Sequence, residues 1–356
     1  MYNSNQHKKH KNLSVAACLT TGALALSGCG FFTGDESEGA EANGDECTTQ
    51  SLRLATIRAD EDPTTLGANA FAEELEEATE GSLTVEVYPN SQLGDANDVY
   101  ASMAAGEDVD IFYNGISLYP SLEGAEDFTV LTVPFMWESY DQLKAVLDSD
   151  RYQELMDEAA DATGVRVVAT NGDAEPRALS ANRAIETADD MEGLALRIAE
   201  APLPQEFATA LGANPQVIPF SDLYLSLRQN VVDAQENGAI TMVNQSLTEV
   251  QSHYMPVDYI RDVQAWQFSD ATWGSLCADQ QEAVQAAAEN AGELVTQEVA
   301  TQMDDAMATI EDEMEVVDFD RDSFVDALDG TFEQFDGEMW SEGLLEETRE
   351  LAEENR

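Results

Sequence analysis

From Ser51 onward the chain alternates two kinds of hydrophobic rhythm, and this restricts the folds open to it. Ser51–Ile57 places apolar and polar side chains at successive positions, the period of a half-buried strand. Thr64 or Thr65 can then cap a helix whose Leu66, Phe71, Leu75 and Ala78 share one face, and Gly81 ends it. Leu83–Tyr88 reads as a strand, the residues after Asp95 as a helix through Ala105, and Val109–Tyr113 as a buried strand. Ser139 opens a capping box closed by Gln142, ahead of Leu143, Val146 and Leu147. A helix over 151–163 stops at Gly164, and 165–170 is again a strand. A second series of the same kind runs from Arg177 to about Tyr259. Strands that alternate with helices imply an α/β fold with parallel pairing and helices on both faces.

The 356 residues exceed one ordinary domain, and two lobes fit them. We place lobe I at residues 51–172 and 262–300, and lobe II at 173–261 and 301–356. The crossings fall near Gly172–Asp173 and Tyr259–Val263, and two crossings make a hinge. Asp279 to Met314 contains no proline and one glycine. Its Val284, Ala288, Ala291, Leu294, Val295, Val299, Met303, Met307, Ile310 and Met314 recur near helical spacing. At 1.5 Å per residue this helix, 279–314, would be about 54 Å long and could brace both lobes. Its methionines read as core packing.

The formal net charge is −55, from 71 acidic and 16 basic residues. Lys144 is the only lysine beyond Lys8, Lys9 and Lys11. One reading is a surface adapted to high salt. At about 1 M the Debye length falls to about 3 Å, and like charges no longer repel across the surface. The plainer reading is a surface that aids solubility. Both argue against nucleic acid and anionic lipid as surface partners.

The first 28 residues read as a lipoprotein signal peptide. Basic residues precede a short apolar run, Leu13 to Leu26, and Leu26-Ser27-Gly28-Cys29 has the form of a lipobox with Cys29 as the lipidated residue. Residues 29–50, rich in Gly, Glu and Asp, read as a flexible tether. The expected location is extracytoplasmic, anchored to the cell membrane. Cys47 and Cys277 remain in the body; an exported compartment permits a disulfide between them, and two idle thiols are the alternative.

Arg197 follows Leu194-Ala195-Leu196 at the expected C-terminal end of a strand, where open α/β sheets bind ligands. Its guanidinium suits a carboxylate, although a salt bridge to Asp189, Asp190 or Glu200 would serve equally well on spacing alone. Arg177 lies twenty residues earlier in Glu-Pro-Arg-Ala-Leu, and Asn237 forty residues later before Gly238. Leu211 to Tyr224 lies between the last two, and Tyr88 opens Tyr-Pro-Asn-Ser-Gln-Leu-Gly. This pattern resembles the solute-binding proteins of tripartite ATP-independent periplasmic (TRAP) transporters, from about Leu52 to the C-terminus.

The resemblance implies a two-lobed, periplasmic-binding-protein-like (type II) fold, with a ligand cleft between lobes and a long helix near the C-terminus. It implies that Arg197 pairs with the ligand carboxylate, that Arg177 is a second site arginine, that Asn237 assists, and that the Phe220 ring packs on the ligand. Arg58, Asn114 and Tyr113 are the candidates from the first lobe. Gly238 stands where the family usually has proline. Ala96 and Gly115 stand where its better-known sugar-acid binders carry acids, which favours a smaller organic acid, with Arg58 able to take a second carboxylate. The implied partners are that anion and a membrane permease, with a monomer as the default. Trp266 and Trp273 are expected in the core rather than the cleft.

The other function classes have less in their favour. His253 is the only histidine beyond the leader, and Gly-x-Ser-x-Gly, His-Glu-x-x-His and phosphate-cradling glycine loops are absent. We therefore expect no enzyme, cofactor or metal. Asp318, Asp320 and Asp322 have the spacing of a calcium loop, but Asp329 stands at the closing Glu and no Gly at the sixth position, so a solvated turn is expected. An ATP-driven importer's binding lipoprotein, or a surface sensor, would share the two-lobed plan.

Overall fold

The structure is a computed structural model that describes residues 47–199 and 201–356. The leader, Cys29, the tether up to Glu46, and Glu200 lie outside the described residues. Gln50, expected in the tether, already pairs with Leu83 as the first residue of a strand.

Two sheets organise the body. The first contains β1 (Gln50–Ala55), β2 (Leu83–Tyr88), β3 (Ile111–Gly115), β4 (Val165–Asp173) and the returning β10 (Val263–Ser269). Their order is β2-β1-β3-β10-β4. The second contains β5 (Leu179–Ala181), β6 (Ala195–Ile198), β7 (Asn214–Val217), β8 (Ala234–Gln235), β9 (His253–Met255) and β11 (Glu315–Val316), in the order β11-β9-β5-β8-β6-β7. Each sheet is the centre of one lobe.

Pairing is less uniform than the alternation implies. β1 pairs in parallel with β2 and β3, but β10 is antiparallel to both of its neighbours. It comes back from the second lobe and so enters the sheet from the opposite end. In the second sheet β6 is parallel to β7 and β8, whereas β5 is antiparallel to β8 and β9.

Local chemistry explains the helix ends. Helix Pro63–Ala78 begins before the expected threonines, because Asp62 accepts from the Thr64 N–H at 2.9 Å and Pro63 supplies a preset φ in the first turn. Ser139 caps helix Tyr140–Leu147 by accepting from Gln142 N–H at 3.2 Å. Gln142 reaches one residue further back than a capping box requires, to Glu138 N–H at 2.7 Å. Helix Asp150–Thr163 ends at Gly164, whose φ of 72° is the left-handed cap that glycine adopts without strain.

The long helix is Ala278–Glu313, 36 residues, with Val284, Ala288, Ala291, Val295, Val299 and Ile310 buried. It packs on helix Pro63–Ala78 and β4 of the first lobe and on helix Ala239–Asn244 of the second. Cys277, immediately before it, is bonded to Cys47 across a Cα–Cα distance of 5.1 Å.

The last helix, Leu344–Glu354, departs from the expected division, in which residues 301–356 lay in the second lobe. It packs on helix Tyr140–Leu147. Gln142 donates to Ala352 O at 2.7 Å, and Tyr152 shares a 2.7 Å hydrogen bond with Thr348. Leu344, Leu345, Thr348 and Ala352 form its buried side, so apolar burial against the first lobe decides its place.

Candidate functional site

A cavity opens between the two sheets, lined on one side by Arg58, Asp95 and Asn114 and on the other by Arg177, Arg197, Phe220 and Asn237. A second, adjoining space shares Arg58, Arg177, Asn237 and Asp262 with it. Side chains distant in sequence meet here because both sheets turn strand ends or adjoining loops toward the same gap.

Arg197 is the third residue of β6 and only 2% exposed. Its Nε donates to Ile218 O at 2.9 Å, which fixes the plane of the fork. Asp190, one of the acids within reach of it in sequence, accepts from the main-chain N–H groups of Glu186 and Thr187. Phe220 lies under two guanidinium groups. The Arg197 Cζ is 5.9 Å from the ring centroid and the Arg58 Cζ is 5.4 Å from it. A π-face so placed favours both cations and keeps them apart in a fixed geometry.

Arg177 is not the exposed loop charge that a bare sequence position would suggest. Its Nη1 donates to the Glu236 carboxylate at 2.6 Å and to Glu236 O at 2.9 Å. Burial works against the Arg177 charge, and Glu236, with Tyr259 and Asp262, together more than offsets it, so its pKa lies above the ordinary arginine value. Tyr259 donates to the same Glu236 oxygen at 2.7 Å, and its hydroxyl is pushed well up, by burial first and the neighbouring carboxylate second. Asn237 follows directly and is 5% exposed, its amide donating to Gln235 Oε1 at 2.6 Å.

From the first lobe, Arg58 donates through Nε to Asn114 Oδ1 at 3.4 Å and through Nη1 to Thr241 Oγ1 at 3.1 Å. The second bond crosses the cleft. Ser221 makes another crossing, donating to Asp95 Oδ2 at 3.2 Å.

Tyr113 is not brought to this cavity, and its expected place is corrected. Successive strand residues face opposite sides, so Asn114 at the cavity puts Tyr113 on the helix-covered face. There it stacks on Trp266 with ring centroids 3.7 Å apart and donates to Asn171 O at 3.3 Å. Trp266 is fully buried and donates to Asn171 Oδ1 at 2.9 Å, while Trp273 packs edge-on to Phe268.

Gly238 has a local reason. A Cβ there would lie 2.6 Å from the Glu175 carboxyl carbon and from Pro176 O. Glu175 comes that close because it accepts from Ile240 N–H and Thr241 N–H at 2.5 and 3.0 Å, capping helix Ala239–Asn244. Burial raises its pKa, against the pull of the Thr241 hydrogen bond.

Sequence reasoning missed Asp95, Glu236 and Asp262 as site neighbours. With 71 acids in the chain no single carboxylate stands out, and only their position relative to Arg177 and Arg58 singles them out. Among the described residues no group of three or more His, Cys, Asp or Glu side chains could hold a metal ion. Asp320 caps helix Arg321–Leu328 by accepting from Ser323 N–H. Among the described residues, no helix is long and apolar enough to cross a membrane.

The chain is similar to known proteins over most of its length. A solute-binding protein of Roseobacter denitrificans is 30% identical over 243 residues, 68% of this chain and 73% of its own. The C4-dicarboxylate-binding periplasmic protein of Rhodobacter capsulatus is 32% identical over 204 residues, 57% of this chain and 60% of its own. A crystal structure of a TRAP periplasmic solute-binding protein from Roseobacter denitrificans with bound L-galactonate matches with a TM-score of 0.78 at 27% identity. That match covers 86% of this chain and 99% of the other. The family model described as bacterial extracellular solute-binding protein, family 7, matches residues 54–336. The chain therefore belongs to this family, that of the TRAP-transporter solute-binding proteins, which bind solutes outside the cytoplasm and are not enzymes.

Proposed function

We propose that this protein captures a small organic-acid anion between its lobes and delivers it to a TRAP permease in the membrane. The observation that carries this reading is the convergence of Arg58, Arg177 and Arg197 with Asn237 on one cavity in a protein of net charge −55. Three guanidinium groups at one space make it receptive to an anionic ligand. Arg197 takes the carboxylate through its fork, Asn237 adds an amide, and Phe220 supplies the floor. Capture works by closure. The Arg58–Thr241 and Asp95–Ser221 hydrogen bonds join the lobes across the cleft, and separating the lobes would break both. Closing excludes water and strengthens the ion pair inside. The Roseobacter denitrificans relative's bound L-galactonate is in keeping with an acid at this place. Cys29 holds the protein to the membrane by its lipid, Cys47 onward forms the binding body, and the protein acts as a monomer. The hinge lies where β4 leads out of the first lobe and β10 returns to it.

The test is a calorimetric and thermal-shift screen in molar salt against monocarboxylates, dicarboxylates, sugar acids and neutral sugars. One acid class should raise the melting temperature, and Arg197→Ala should lose at least about 100-fold in affinity, the worth of a bidentate charged pair at about 3 kcal/mol. Stabilisation by neutral sugars alone, or binding unchanged in Arg197→Ala, would sink the reading.

A further inference from the structure

The acids expected to be missing from the first lobe have a substitute. A Cβ built on Gly115 would lie 2.1 Å from Asp262 Oδ2, so the space that a side chain at 115 would enter is already filled by a carboxylate. That carboxylate is delivered from another element, the residue just before β10. Asp262 is 6% exposed and is held by three donors. Ser117 N–H and Val263 N–H bond Oδ1 at 3.2 and 2.9 Å, and the Ser117 hydroxyl bonds Oδ2 at 2.5 Å. It lines both parts of the cavity.

Two further polar atoms at the cavity have no hydrogen-bond partner among the described residues. Asp95 accepts from Ser221 through Oδ2, but its Oδ1 is buried with no hydrogen bond. Asn114 is fully buried, and its Nδ2 is also unpartnered. The orientation of that amide is fixed by chemistry. Arg58 Nε can only donate, so the oxygen of Asn114 must face it, leaving Nδ2 open. The first-lobe end of the cavity thus presents carboxylate acceptors and an amide donor together.

A hydroxyl both donates and accepts, and so satisfies that set. A carboxylate only accepts: it would leave Asp95 Oδ1 unpaired and set a like charge beside Asp262. Arg58 does not reverse this balance. It is engaged by Asn114 and Thr241 and faces the Glu175 carboxyl, whose ionisation it favours. We propose that Asp95 and Asp262 are specificity-determining residues that make this a site for hydroxylated monocarboxylates and turn away dicarboxylates. Arg58 then braces the closed cleft and serves as no second carboxylate partner. This rests on the carboxylate-capture reading above and adds the selection at the far end of the ligand.

The experiment is titration calorimetry on the full chain in molar salt with a matched pair, gluconate and glucarate, and with succinate. Gluconate and glucarate differ only at the end remote from the captured carboxylate, and succinate adds a shorter diacid without hydroxyls. Gluconate should bind at least about 30-fold more tightly than glucarate or succinate, the scale of one charged hydrogen bond replaced by a like-charge contact. Asp262→Asn should shrink that ratio to about threefold by tightening the dicarboxylates. Because Asp262 is buried, Asp95→Asn provides a second arm at a half-buried residue and should move the ratio in the same direction. Glucarate or succinate binding as tightly as gluconate to the unaltered protein would overturn the inference while leaving carboxylate capture intact. A ratio unmoved in both folded variants would overturn it as well. Binding of the acids that persists unchanged in Arg197→Ala would instead overturn the capture reading, and the inference with it.

Discussion

Arg177 donates through a single nitrogen, Nη1, to both the side chain and the main-chain carbonyl of Glu236, at 2.6 and 2.9 Å. The guanidinium is thereby pinned at the edge of the cavity before any ligand arrives. Glu236 is wholly buried, and its other oxygen has no hydrogen-bond partner among the described residues. Glu236→Gln keeps the volume but leaves a buried cation uncompensated. It should cost about 3 kcal/mol in stability and weaken acid binding. Chemical denaturation and calorimetry on the same variant check both. An unchanged denaturation midpoint would mean that the pair is not what holds Arg177.

Gly238 should be intolerant of the smallest side chain. Its φ of −81° is open to any residue, so the obstacle is contact and not backbone strain. Gly238→Ala would drive a methyl into Glu175 and Pro176 O. The expected loss is about 1–3 kcal/mol, read as a fall in melting temperature. Pairing it with Glu175→Ala should recover part of the loss, because the side chain in the way is then gone.

Asp173 ends β4, where the chain leaves the first sheet. Burial pushes its carboxyl up to about 6 from 3.8; Arg261 opposes the shift, and Asp141 and Asp258 add to it. The folded protein therefore holds this proton more tightly than the unfolded chain does. Its contribution to stability is complete below about pH 4 and is lost as pH rises through about 6. Asp173→Asn should be more stable than the parent at pH 7.5 by about 2 kcal/mol, a value reduced for partial exposure. At pH 4 the two should coincide. Denaturation curves at both pH values decide it, and a difference that does not change with pH would assign the effect to packing.

The acidic surface makes a prediction about salt. At −55, self-repulsion strains the compact state when screening is weak. Raising sodium chloride from 0.1 to 2 M should lift the melting temperature by about 10 °C or more. A flat profile would favour the plainer reading, in which the charge serves solubility alone.

Much of the architecture could be read before any coordinates. Leu83–Tyr88 keeps its expected limits, Gly164 ends its helix, and 279–314 is a helix displaced by one residue. These are local signals of period and capping. What failed was long-range. Nothing near β10 in sequence says that it runs antiparallel, because strand direction follows from how the chain re-enters the first lobe. The last helix carries a clear apolar stripe, but a stripe does not name the surface that covers it. At the candidate site, Arg177, Arg197 and Asn237 were picked out by the family resemblance and not by spacing alone, and all three line the cavity, whereas Tyr113 and Asn114 differ only by which face of one strand each occupies. Asp262 was illegible because its meaning depends on Gly115, a residue 147 positions away whose missing side chain leaves it room.

The bond between Cys47 and Cys277 has a mechanical consequence. Cys47 lies just before β1, the strand between β2 and β3 that leads to Arg58. A pull on residues ahead of Cys47 would, without the crosslink, bear first on β1 and begin to peel it from its neighbours, drawing Arg58 out of the cavity. The crosslink diverts that load to the start of the long helix, which packs on both lobes and spreads it through the whole body. The binding geometry is thereby isolated from tension at the N-terminal end, and the protein can be tugged from that side without loosening its hold on a ligand.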